Sequence, residues 1–221
     1  MRNTKSADGT EGNIVKDFFD AVESREHAWP AGREDLHWHL LPQPSVSQAL
    51  TEGYQAAASL PGMAPVAPEW IHITVQHGAP MAAYREGEVE AIKTGVAERA
   101  RAMQPVEVTL ARPAFGTVAL ECGGHPGEPA RRVWEMACAV HEEVTGHRFP
   151  RIPALSYPHA SLAYGTSQAP LLNRAQAKVV LSDLPGDPVA LRLDTLTLVA
   201  QSHDRRYITW RELASVKLGG A

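Results

Sequence analysis

Residues 70–76 have the sequence WIHITVQ, which gives the clearest indication of the fold. β-Branched and aromatic residues dominate it, and a Pro-rich loop precedes it, so it predicts a strand. Alternate side chains of a strand share a face, which places His72 and Thr74 on one side of the sheet and the apolar residues between them on the other. The stretch therefore predicts a strand whose polar face carries an imidazole and a hydroxyl.

A second stretch, residues 159–165, repeats this arrangement with the sequence HASLAYG. It too is predicted to be a strand, and its polar face carries His159 and Ser161. If the two strands are neighbours, two imidazoles and two uncharged hydroxyls meet at one place. Such a set suits displacement at phosphorus: one neutral histidine accepts a proton, the other donates one, and the hydroxyls bind the oxygens where charge develops.

Outward from these stretches, predicted strands and helices alternate along the chain. Residues 36–40, LHWHL, predict a half-buried strand, because apolar residues alternate with His37 and His39. The order of elements, with paired strands closing the second set, favours an α+β domain with largely antiparallel sheets. Helices are predicted at 44–61, 88–103, 130–145 and about 170–181, and further strands at 106–122, 191–201 and 207–213.

Residues 1–35 are predicted to form an N-terminal arm that is appended to a domain spanning residues 36–221. Residues 1 to about 10 lack apolar periodicity and are expected to be disordered. Apolar residues then recur at helical spacing from Ile14 to Val22, which predicts a short amphipathic helix.

Composition limits the classes of function. The chain has 221 residues and a formal charge of -4, which argues against a protein that holds long nucleic acid by a basic surface. A short or terminal phosphate remains compatible with this charge. Cys122 and Cys138 match no zinc or redox spacing and are expected to be two thiols in a reducing compartment. No secretory signal and no long apolar run is seen, so we expect a cytoplasmic, soluble protein with no membrane partner.

Four stretches, LHWHLLP, PEWIHITVQ, YPHASLAYG and LTLVAQSHDRRYITWREL, carry a resemblance that covers residues 36–217. The chain resembles the 2H phosphoesterase superfamily, whose signature is two His-x-[Thr/Ser]-x motifs. It looks most like the bacterial RNA 2′,3′-cyclic phosphodiesterases, also called 2′-5′ RNA ligases. The resemblance implies a bilobal fold of two pseudo-symmetric lobes with a central cleft and no metal or other cofactor.

The resemblance also implies roles for the two motifs. His72 and His159 would be the acid–base pair, and Thr74 and Ser161 would bind phosphate. The expected reaction is hydrolysis of a 2′,3′-cyclic phosphate, on an RNA terminus or a nucleotide, to a 2′-phosphate, with no obligatory protein partner. The alternative is a nucleotide- or RNA-binding module of the same fold with little turnover.

Four further residues are candidates for contact with the substrate. Arg205 and Arg206 lie in a predicted turn and could clamp phosphate, although charged turns are usually solvated. Tyr157 could stack on a base, or simply pack beside Pro158. His39 could line the cleft, or only bond to its neighbours.

Other histidines leave a metal site as a second alternative. His37 and His39 have a spacing found in some metal sites, and with His72 and His77 they could bind zinc, although no carboxylate motif accompanies them. The remaining candidates are expected at the surface: His125, His141 and His147.

Overall fold

Residues 14–153 and 157–219 are described by a computed structural model, and this part of the chain contains ten strands and six α-helices. The strands are β1 Asp35–Leu40, β2 Met63–Pro65, β3 Ile73–Pro80, β4 Val106–Leu110, β5 Ala114–Phe115, β6 Ala119–His125, β7 His159–Gly165, β8 Val189–Leu193, β9 Thr195–His203 and β10 Ile208–Lys217. The helices are α1 Phe18–Glu23, α2 Pro44–Gly53, α3 Gln55–Ala58, α4 Glu88–Ala100, α5 Glu128–Thr145 and α6 Arg174–Ser182.

The strands form two half-sheets that meet at a single residue pair. Their order is β10-β9-β1-β3-β7-β6-β4-β8, with β2 beside β7 and β5 beside β6, and the pairings are antiparallel. Ile73 on β3 pairs with Ala160 on β7, and this pair joins the first half-sheet (β10, β9, β1, β3) to the second (β7, β6, β4, β8). The predicted α+β class with antiparallel sheets is confirmed, and the half-sheets correspond to the two expected lobes.

Local sequence signals explain where the helices begin and end. Helix α5 has Pro129 in its first turn and ends at Gly146, whose φ of 61° suits a residue without a side chain. The predicted helix over 44–61 is instead two helices, because α2 stops at Gly53 and α3 begins after Tyr54.

Strand β1 is more deeply buried than its sequence pattern predicts. All six of its residues are buried, whereas the alternating pattern predicted a half-buried strand. β1 lies in the interior of the first half-sheet, between β3 and β9, and the side chains on both of its faces are buried. Its polar face therefore turns toward the interior of the protein rather than toward bulk water.

The described part of the N-terminal arm packs on the domain. A short helix, α1, lies at Phe18–Glu23, whereas the sequence predicts it from Ile14 to Val22; Asp17 caps it by accepting from the backbone N–H of Phe19 at 2.7 Å. Val15 and Phe19 are fully buried, and the Phe19 ring lies 5.9 Å from Tyr164 on β7. The division into an arm and a domain stays a prediction, and the residues expected to be disordered lie outside the described residues.

Two expectations from composition can be compared with the described residues. Cys122 and Cys138 are both free and buried, as predicted. None of the helices described here has both the length and the apolar character needed to cross a membrane.

Candidate functional site

The two histidine motifs meet where the half-sheets join. Ile73 and Ala160 pair across β3 and β7, and side chains one residue away on either strand point to the opposite face. Continuing the register by one residue in each direction gives two cross-strand pairs, His72 with Ser161 and Thr74 with His159. All four of these side chains line one cavity of about 750 Å³. The convergence predicted from the two stretches is thus present in the structure.

His72 is held in one tautomer by the turn that precedes it. Pro68–Trp70 forms a short 3-10 helix, so β3 begins at Ile73 and His72 lies just before the strand, whereas it was predicted to lie on it. The His72 Nδ1 atom lies 2.9 Å from the carbonyl oxygen of Trp70. Because a carbonyl only accepts, Nδ1 carries the hydrogen and Nε2 keeps its lone pair.

Burial keeps the His72 imidazole neutral. The residue is 8% exposed, and loss of hydration lowers its pKa to about 4. The hydrogen bond to Trp70 opposes this shift, and the neighbouring His159 adds to it. His72 is therefore an uncharged proton acceptor at neutral pH.

Aromatic rings enclose His72 on the side away from β7. The His39 ring stacks on it at 4.2 Å, and the Trp210 ring meets it edge-on at 4.9 Å. His39 is fully buried behind His72, and burial lowers its pKa well below the ordinary value. This corrects the prediction for His39, which packs against a site residue and is not among the described residues that line the cavity.

His159 and Tyr157 form the other side of the site. His159 is the first residue of β7, and its ring centroid lies 5.8 Å from that of Tyr157. Tyr157 is 43% exposed, lines the cavity and donates a hydrogen bond to Glu121 at 2.9 Å. Its placement suits a contact with substrate, and that role stays a prediction.

A hydrogen-bonded pair of histidines, His37 and His77, also lines the cavity, and both are among the histidines that the sequence suggests as possible zinc ligands. His37 Nδ1 donates to the carbonyl of Asp35 at 3.1 Å, so its Nε2 must accept from His77 Nδ1 at 2.9 Å. Burial lowers the pKa of His37 to about 4 and that of His77 well below its ordinary value. Both rings are therefore neutral, with fixed hydrogen positions.

As an alternative, the sequence suggests His37, His39, His72 and His77 as possible zinc ligands. In the part of the chain described here, no three His, Cys, Asp or Glu side chains are arranged to hold a metal ion. The imidazoles of His37 and His77 bond to each other instead, while His39 and His72 are stacked.

The two arginines predicted to clamp phosphate are engaged elsewhere. Arg205 reaches helix α1, where its guanidinium pairs with Asp20 at 2.5 Å and also with Glu23. Arg206 bends over its neighbour Tyr207, whose hydroxyl accepts from it at 2.9 Å. Neither belongs to the cavity lining among the described residues, which corrects both predictions. The turn alone carried no information on what would pack beside it.

His141 is predicted at the surface, but the structure shows it buried in the lining of the cavity. It is 6% exposed, and its Nε2 accepts a hydrogen bond from the Trp38 indole at 3.1 Å. Burial lowers its pKa to about 4. The apolar face of α5, which includes Val133, Ala137 and Val140, was the sequence signal for this burial.

Comparison with known proteins places the fold. No family model and no curated protein matches the sequence. The structure of TT0787 from Thermus thermophilus is similar with a TM-score of 0.62 and 21% identity, over 84% of this chain and 98% of that one. Escherichia coli LigT complexed with 3′-AMP is similar with a TM-score of 0.64 and 14% identity, again over 84% and 98%. A structure described as a phosphoesterase has a TM-score of 0.60 and 14% identity over the same shares.

These likenesses confirm the fold expected from the two motifs. Identities of 14–21% carry the arrangement of strands and helices rather than an activity. The chain therefore has the fold of LigT and these related structures, while the chemistry rests on the site's own residues.

Proposed function

We propose that this protein is a phosphodiesterase that hydrolyses 2′,3′-cyclic phosphates, of nucleotides or RNA ends, to 2′-phosphates without a metal cofactor. The observation that carries the proposal is that His72, directly before β3, and His159, the first residue of β7, line one cavity where these strands pair at Ile73 and Ala160. Two imidazoles so placed can serve as base and acid on opposite sides of one phosphorus.

His72 has the properties of the general base. It is neutral, because burial lowers its pKa to about 4, and its Nε2 lone pair is free because Nδ1 donates to Trp70. In the proposed step, Nε2 takes a proton from water as the water oxygen bonds to phosphorus. The Trp70 carbonyl stabilises the imidazolium that forms.

His159 acts as the general acid in this scheme. In its protonated form it donates to O3′ as the P–O3′ bond breaks, which leaves a 3′-hydroxyl and a 2′-phosphate. The proton gained by His72 and the one lost by His159 then exchange with solvent, so both histidines return to their starting states.

Thr74 and Ser161 are proposed to hold the non-bridging oxygens. Both line the cavity on the histidine face, and a hydroxyl donates without adding a charge that would compete with the reaction. Tyr164 interacts with Ser161, and burial raises the pKa of Tyr164 while Ser161 opposes that rise. The phenol thus stays neutral beside the serine.

Nucleotides are supported as the class of ligand. Escherichia coli LigT, which shares this fold, was crystallised with 3′-AMP. The alternative, a nucleotide- or RNA-binding module with little turnover, would use the same cavity. Its weakness is that binding alone requires no pair of opposed imidazoles.

A substrate panel tests the proposal. The purified protein is assayed in EDTA with 2′,3′-cyclic nucleotides, oligonucleotides ending in a cyclic phosphate, and 2′-5′-linked dinucleotides. ³¹P NMR identifies the product, and His72→Ala and His159→Ala are the controls. We expect 2′-phosphate products and a loss of orders of magnitude in both variants. Nucleotide binding without hydrolysis would favour the binding module, and full activity in both variants would remove the catalytic assignment.

A further inference from the structure

One side of the cavity is built by residues 14–33, here called the wall segment. This segment precedes the part of the chain that carries the sequence resemblance, and the similar structures cover 84–85% of this chain. Its cavity-lining residues are Phe18, Val22, Arg25, Glu26, His27, Ala28, Trp29 and Arg33. The site therefore has a boundary that the two histidine motifs do not supply.

The wall segment is attached to both half-sheets. Near its start, the backbone N–H of Lys16 donates to the carbonyl of Thr117, beside β6 of the second half-sheet, at 2.7 Å. Near its end, the N–H of Gly32 donates to the carbonyl of His203 on β9 of the first half-sheet, at 2.8 Å. Since the cavity lies where the half-sheets meet, the segment crosses from one to the other along the cavity.

Arg205 fixes the middle of the wall segment from outside the cavity. It lies in the turn between β9 and β10, and its guanidinium contacts three carboxylates along α1: Asp17 at 3.5 Å, Asp20 at 2.5 Å, and Glu23. Several charges around one guanidinium hold a surface element better than an isolated pair does. Helix α1 is thereby fixed with Phe18 and Val22 toward the cavity.

The charges of the cavity lining do not suit a polynucleotide. Among residues 14–153 and 157–219, the lining contains three arginines, Arg25, Arg33 and Arg151, and four carboxylates, Glu26, Asp35, Glu121 and Glu142. Arg33 is already paired with Asp35 at 2.7 Å, and Arg151 with Glu142 at 2.6 Å. A chain of nucleotides brings one phosphate charge per residue and requires clustered, available cations along its path.

We propose that the wall segment restricts the site to small cyclic nucleotides rather than RNA ends, and that Arg205 is the positioning residue that maintains this restriction. The inference rests on the proposed phosphodiesterase function and narrows its substrate class. The cavity of about 750 Å³ lies within the range of roughly 300–1,000 Å³ typical of small-molecule sites. If α1 is released, the cavity opens on that side and can admit an oligonucleotide.

The test compares kcat/KM for a 2′,3′-cyclic mononucleotide with that for an oligonucleotide ending in the same cyclic nucleotide. We expect the wild-type protein to prefer the mononucleotide by about tenfold or more. In Arg205→Ala, the preference falls toward unity because kcat/KM for the oligonucleotide rises, while kcat for the mononucleotide is unchanged. Arg206 lies in the same turn, but its guanidinium bonds to Tyr207, so Arg206→Ala keeps the wild-type preference.

Each outcome decides a specific point. A wild-type protein that prefers the oligonucleotide, or whose oligonucleotide kcat/KM falls steeply with salt as several phosphate contacts would require, overturns the inference. If the protein hydrolyses neither substrate, that result refutes the proposed function instead. If Arg205→Ala does not fold, Asp20→Ala removes one of the same ion pairs at a position that is 70% exposed in its side chain. An unchanged preference in whichever of these variants folds overturns the role of Arg205.

Discussion

Replacement of Trp210 by alanine should move the acid limb of the pH–rate profile. The Trp210 indole meets the His72 ring edge-on at 4.9 Å and also contacts His39 at 5.0 Å. Loss of hydration is the main reason that the pKa of His72 falls to about 4. A smaller side chain at position 210 admits water beside the imidazole, so the pKa of His72 rises toward its ordinary value of 6.5.

The size of the effect follows from the fraction of neutral His72. With a pKa of about 4, the ring is roughly 90% neutral at pH 5, whereas with a pKa of 6.5 it is only about 3% neutral. If the His72 ring of the variant were fully hydrated, kcat/KM at pH 5 would be lower than that of the wild-type protein by about 30-fold, which is the upper limit of the effect. We expect the limb to move by about 1 pH unit or more, with little change on the plateau near pH 7.

The assay is kcat/KM for a cyclic nucleotide measured from pH 4 to pH 8, with circular dichroism at each pH to verify that the protein is folded. Trp210→Phe is the matched control, because it keeps an aromatic ring beside His72 and should move the limb less. The reasoning is refuted if the limb of Trp210→Ala coincides with that of the wild-type protein. A wild-type limb near 6.5 refutes it as well.

Two further results are expected. Thr74→Ala and Ser161→Ala should each lower kcat by roughly 10²-fold while changing KM little, because a lost hydrogen bond to developing charge acts mainly in the transition state. If either variant loses affinity for the product by as large a factor as it loses kcat, this reasoning is contradicted. Below pH 6.5 His141 becomes protonated in the unfolded chain but stays neutral in the folded protein, where its pKa is about 4. Through this residue the free energy of unfolding therefore falls by about 3 kcal/mol between pH 6.5 and pH 4. His141→Gln keeps an acceptor for the Trp38 indole but does not titrate, so urea unfolding at pH 7 and pH 4.5 should show a weaker pH dependence than in the wild-type protein, and an identical dependence would contradict the assignment.

The two motifs and most elements could be predicted from sequence because their signals are local. Strand alternation was enough to place Thr74 with His72, and Ser161 with His159, on one face. Proline and glycine marked the start and end of α5. The junction at Ile73 could be anticipated only as a possibility, because strand pairing depends on distant residues.

The rest of the site depends on tertiary contacts that carry no local signal. His37 and His39 both alternate with apolar residues on the same strand. Of these two, His37 lines the cavity, whereas His39 is covered by His72 and Trp210. Arg205 resembles any charged turn residue until α1 is known to lie beside it. Likewise, the wall segment has the composition of an appendage, and its place along the cavity follows from the backbone hydrogen bonds at its two ends.

A double-mutant cycle on His72 and His159 tests whether the two imidazoles act together on one phosphorus. If the two imidazoles act on the same phosphorus in the same step, His72→Ala and His159→Ala should each lower kcat for a cyclic nucleotide by at least about 10²-fold. The double variant should then be little slower than the slower single variant, because either loss already disables the step. Losses that multiply as for independent sites, or a single variant with wild-type kcat, would show that the two imidazoles do not act in the same step.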